Sequence, residues 1–113
     1  MKRDVWWDKP RFDLLYPLCV PYEEQMMTRF ANLLARWAKK YSERNREVAE
    51  TIEELNRFKE SAMRHMIQRF CWEEDEDHAA AVRFNLMGAE MVKYKLKKKD
   101  ILEHKSTWLP IKL

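Results

Sequence analysis

Glycine is nearly missing from this chain: Gly88 is the only one in 113 residues. With no glycine-rich turn to wrap a phosphate, P-loop and dinucleotide-binding chemistry are excluded on that ground. From Tyr22 through Met87 there is neither glycine nor proline, so that stretch holds no strong helix breaker. Cysteine is scarce as well. Cys19 and Cys71 lie far apart with no CxxC pair, which fits the free thiols of an intracellular, reducing setting better than a disulfide framework. No run of 18 apolar residues occurs, so no membrane span is expected. The opening Met-Lys-Arg-Asp-Val-Trp-Trp-Asp has no apolar signal core. Its Asp residues and lack of Ser argue against a cleavable transit peptide, although a mitochondrial destination stays compatible.

Catalytic signatures are missing too. No Ser or Cys stands beside a His at a recognisable elbow, so an enzyme, a cofactor and a small-molecule substrate are all unexpected. His65, Cys71 and His78 lie within 14 residues and are candidate metal ligands. On a helix the first two point to different sides, and paired zinc spacing is lacking, so no metal site is predicted. The acidic run Glu73 to Asp77 has neither the glycine turn nor the alternating oxygens of a calcium loop.

What remains is apolar and charged together: 46% hydrophobic and 36% charged residues, seven Met and five Trp. That is the profile of amphipathic helices and far from disordered composition. A chain this short has room for one domain with a thin core. The net charge of +3, from 22 Lys and Arg against 19 Asp and Glu, and a pI near 8.9 fall just short of a dedicated nucleic-acid binder.

The pattern predicts an all-α chain: a long helix over about residues 21–71, a shorter one over about 75–101, and extended tails at 1–20 and 102–113. Pro21 suits a first helical position, followed by Glu23 and Glu24 at the positive end of the dipole. A heptad through Leu34, Tyr41, Val48, Leu55 and Ala62, with a second set at Ala38, Asn45, Ile52, Lys59 and Met66, has coiled-coil spacing. Asn45 reads as a register device, and Met63, Met66, Met87 and Met91 as core filler. Phe30, Trp37, Phe58, Met63, Ile67 and Phe70 widen the apolar face beyond a two-stranded seam. The acidic run belongs at the start of the second helix and Lys93 to Lys99 near its negative end, so both ends carry stabilising charge. The two helices would form an antiparallel hairpin or an elongated coiled-coil arm.

Function follows only as a class. Aromatic, proline-bearing tails with Trp6, Trp7, Phe12, Tyr16 and Trp108 are candidate anchors in other protein subunits. The cations Arg36, Lys39, Lys40, Arg44 and Arg46, interleaved with Trp37 and Tyr41, and Lys93, Lys95, Lys97, Lys98 and Lys99, are candidate RNA phosphate contacts. The expectation is a non-catalytic structural subunit of a large assembly, foremost a ribonucleoprotein such as a mitochondrial ribosome. The alternatives are an accessory subunit of a respiratory-type complex without RNA, and a free-standing homo-oligomeric coiled-coil adaptor.

Overall fold

The computed structural model describes residues 9–102. Among them the chain is all helical, with three α-helices and no strand: α1 Met26–Lys40, α2 Ile52–Phe70 and α3 His78–Leu102. Short 3₁₀ turns at Phe12–Leu15, Tyr22–Glu24 and Asn45–Val48 complete it.

The single long helix expected over 21–71 is in fact two. Pro21 leads into a 3₁₀ turn, and the α-helix begins only at Met26. The break lies between Lys40 and Ile52, where Ser42 (φ 137°) and Arg44 (φ 57°) take positive φ. Helix α2 is then restarted by a capping box. The Glu54 N–H donates to Thr51 Oγ1 (3.1 Å), while Glu54 Oε1 accepts from the Thr51 N–H (3.0 Å) and the Glu50 N–H (2.8 Å), satisfying donors that a helix start leaves open. The larger reason is burial. A straight helix over 21–71 would run about 75 Å, roughly twice the length of α3, so half its apolar face would lie bare. Folding back at the break lets both halves cover α3.

The coiled-coil seam dissolves accordingly. Tyr41 lies exposed in the connection, and Asn45 and Val48 sit in the 3₁₀ turn, so Asn45 sets no helical register. Only α2 and α3 form the antiparallel hairpin: His65 meets His78, Phe58 meets Gly88, and Leu55 packs with Ala89 and Val92. Helix α1 runs alongside α3 in the same direction, since Arg29 pairs with Asp77, Phe30 and Leu33 pack on Ala80, Ala81 and Phe84, and the Trp37 and Phe84 rings lie 4.6 Å apart. Helix α3 is the shared spine of two small cores, one with α1 and one with α2. Phe58 touches both.

Polar contacts fasten the edges. Asp77 accepts from Arg29 Nε and Nη2 (both 2.8 Å), and its Oδ1 also takes the Ala80 N–H (3.0 Å), so one carboxylate caps α3 and ties down α1. Arg29 holds the Asp77 carboxyl below its ordinary range, chiefly through that hydrogen bond. The buried Gln25 amide donates to the carbonyls of Pro17 (2.6 Å) and Val20 (2.8 Å), pinning the preceding segment to α1. Lys95 Nζ donates to the Ala49 carbonyl (2.9 Å) and to that of Glu47, stapling the connection to α3.

Candidate functional site

Helix α2 carries two apolar stripes. Leu55, Ala62 and His65 point into the bundle and are buried. Met63, Met66, Ile67 and Phe70 recur at three and four, the spacing of a second helical face, yet all four are exposed. Ser61 and Arg64 line the side of α2 that looks toward α1; at 3.6 residues per turn the exposed stripe falls on the other flank. Met63, Met66 and Met87 are therefore surface residues rather than the core filler expected, because the break placed α1 on only one side of the hairpin. Met91 alone of that set packs against a core.

The stripe ends on Trp72, 76% exposed and held at φ 61°. Its N–H donates to the Arg69 carbonyl (3.1 Å) and the Glu73 N–H to that of Gln68 (3.1 Å), the Schellman pattern in which this position is usually glycine. A tryptophan there costs about 1 kcal/mol in backbone strain. Its intramolecular return is the Arg69 guanidinium 5.7 Å from the ring centre, a contact of about 0.5–1 kcal/mol at an exposed site.

The candidate anchors divide. Trp6, Trp7 and Trp108 lie outside the described residues. Phe12 is exposed in its 3₁₀ turn and Tyr16 follows it, also exposed, with Leu18 at 98% exposure nearby. The candidate phosphate contacts divide too. Lys95 is committed to the Glu47 and Ala49 carbonyls. Arg46 lies 5.3 Å over the Phe84 ring and Arg44 pairs with Glu47 at 2.6 Å, while Lys40 leans on Tyr41 at 5.1 Å. Lys93 is half-buried; Arg36, Lys39, Lys97, Lys98 and Lys99 are exposed. Four of the ten candidates are thus engaged by groups of their own chain.

Because α1 and α2 lean on α3 from two sides, a gap of about 1120 Å³ opens between them. Trp37, Tyr41, Arg46, Arg57 and Phe84 are among the residues lining it. A two-helix chain would have offered no such concavity; the break in the helix creates it.

One constellation was invisible in sequence spacing. His65 and His78, both buried, meet across the hairpin with their Nδ1 atoms 2.8 Å apart. His78 Nε2 lies 2.7 Å from Asp75 Oδ1. The carboxylate makes Nε2 the protonated nitrogen of His78, so its Nδ1 accepts from the Nδ1–H of His65. Burial pushes His65 below the ordinary imidazole range, with Arg64 adding to the shift and Glu76 opposing it. The hydrogen bond to His78 holds the exposed Asp75 carboxyl down. His65, Glu76 and His78 each place a ligand atom within 4.8 Å of the others, as do Glu73, Asp75 and His78. Cys71 is an exposed free thiol, outside both groups. Among the described residues no helix is long and apolar enough to cross a membrane. Compared with family models, with curated proteins and with solved structures, the chain matches none of them.

Proposed function

We propose that this chain is a non-catalytic structural subunit that docks into a larger assembly through the outer face of α2. The observation that carries this reading is the exposed row Met63, Met66, Ile67 and Phe70 running into Trp72. A contiguous apolar face of this kind is a common mark of a protein interface, and Trp is the residue most enriched at its energetic centre. The strain at Trp72 supports the same reading. A side chain held at a backbone cost, with little return inside its own chain, fits a role toward a partner. The exposed Phe12, Tyr16 and Leu18 add a second apolar surface ahead of α1.

Within that class we favour a ribonucleoprotein such as an organellar ribosome, with Lys97, Lys98 and Lys99 at the exposed end of α3 reaching phosphates. The accessory subunit of a respiratory-type protein complex is the runner-up, and a homo-oligomeric adaptor would use the same apolar stripe. The test replaces Ile67 and Phe70 by Glu, exposed positions whose change leaves the monomer's helicity intact. Loss of co-sedimentation with the native complex is the expected result, and unchanged co-sedimentation sinks the docking face. Association that weakens with salt and is impaired by Lys97→Glu with Lys98→Glu separates the RNA-bearing reading from the others.

A further inference from the structure

The acidic turn between α2 and α3 brings three potential metal ligands to one place, and the hydrogen bonds around them set their chemistry. Asp75 holds the Nε2–H of His78 (2.7 Å), which leaves a lone pair on His78 Nδ1. This is the carboxylate–histidine arrangement that orients metal-binding imidazoles and raises their basicity. The Nδ1 of His65 lies 2.8 Å away, and Glu76 supplies a carboxylate within 4.8 Å of both rings. A cleft of about 300 Å³, lined by His65, Gln68 and Glu76 among others, opens beside His65. Gln68, one of the residues lining that cleft, carries an Oε1 that is buried with no hydrogen-bond partner. Arg64 is the only Arg or Lys among the cleft's lining residues and Glu76 the only carboxylate.

We propose that His65 Nδ1, His78 Nδ1 and the Glu76 carboxylate form a binding site for a divalent transition ion of the zinc class, with Asp75 as the orienting partner of His78. Two imidazole nitrogens and one carboxylate leave a position for water on a tetrahedral ion. Two nitrogens bound to one zinc lie about 3.3 Å apart, so the rings need to separate by about 0.5 Å. The proton on His65 Nδ1 moves to its Nε2 as the metal takes its place. That exchange releases no net proton, and a Glu76 carboxylate bound to the ion compensates half its charge. Bound there, the ion staples the C-terminal turn of α2 to the first turn of α3.

The test uses the full chain with Cys19 and Cys71 replaced by Ser, so that exposed thiols do not compete, and titrates Co²⁺ and then Zn²⁺ after chelation. Co²⁺ absorbance of tetrahedral type, one ion per chain, displacement by Zn²⁺ and a raised melting temperature are the expected results. Glu76→Gln and Asp75→Asn, both at exposed positions, should weaken binding at least tenfold, and His65→Gln should abolish it. Circular dichroism of each variant confirms that the helices persist. Absence of binding at submillimolar Zn²⁺, or binding that Glu76→Gln and Asp75→Asn leave unchanged, overturns the site.

Discussion

Gly88 is where the packing of α2 on α3 is tightest, and replacing it by Ala tests whether that approach is real. In an ordinary helix interior Gly→Ala stabilises by about 1 kcal/mol, because Gly loses more backbone freedom on folding. Here an added Cβ would lie 2.5, 2.6 and 2.7 Å from Cε1, Cζ and Cδ1 of Phe58, against about 3.5–4.0 Å for carbon atoms in comfortable contact. The ring must retreat by about 1 Å. One neighbour in its way is Phe84, with ring centres 6.3 Å apart, and the open side of the ring borders the gap between α1 and α2. Overpacking of this kind costs about 1–3 kcal/mol, which outweighs the propensity gain and leaves a net loss of about 1 kcal/mol. Urea denaturation followed by far-UV circular dichroism reads the change directly. In a Phe58→Leu background the obstructing ring is gone, and the same Gly88→Ala should become stabilising by up to about 1 kcal/mol. The cycle then gives a coupling of about 2 kcal/mol between the two positions. If Gly88→Ala stabilises the wild-type chain as it would an isolated helix, the hairpin register described here is wrong.

Four further changes probe three other joints. Asp77→Ala removes both the cap of α3 and the bidentate partner of Arg29, and should cost about 2–3 kcal/mol by denaturation; a cost below about 0.5 kcal/mol would mean that the latch contributes nothing. Since Arg29 holds the Asp77 carboxyl below its unfolded value, the unfolded state takes up its proton first. The stability due to this pair is thus present above about pH 4, with the unfolded carboxyl near its ordinary value, and is lost as pH falls through the depressed range. Arg29→Met should flatten that part of the acid profile, and an unchanged profile would remove Asp77 as its source. Trp72→Gly relieves the positive-φ strain while losing the Arg69 contact, so thermal stability should change by less than about 1 kcal/mol. A larger loss would give Trp72 a structural role inside its own chain. Lys95→Met strips the Glu47 and Ala49 carbonyls of their common donor; faster amide exchange over residues 44–50 with little change in α2 is the expected outcome, and equal exchange would show the staple to be idle.

Helix α3 was readable in the sequence because its charges polarise it: acids before His78, lysines toward its end, small and apolar residues between. The end of α2 was readable too, as the acidic run forces a bend after Trp72. The break between α1 and α2 was not, since neither glycine nor proline marks it. The local signal was Thr51-Ile52-Glu53-Glu54, a capping box lying inside a stretch that otherwise satisfied helical periodicity. The heptad misled because Leu34 and Leu55 do both face a core, but a core built on α3 from two directions. Tyr41, Asn45 and Val48 shared the spacing without sharing the helix. The histidine pair could not be found by spacing along one helix. His65 meets His78 only through the same antiparallel register that sets Phe58 against Gly88, and that register is a tertiary fact.

The arrangement of both neighbours around α3 also orders the events of folding. The hairpin closes over short sequence separations, with His65 and His78 only 13 positions apart, whereas α1 must bring Arg29 to Asp77 across 48. Local contacts form fastest because less chain entropy is lost before they are made. The expected nucleus is therefore the hairpin, with α1 the last element to dock and the first to leave. A departing α1 uncovers Ala80, Ala81 and Phe84, the patch it had filled. The α1 of a second copy fits that patch equally well, and the connection between Lys40 and Ile52 is the hinge across which such an exchange of helices would take place.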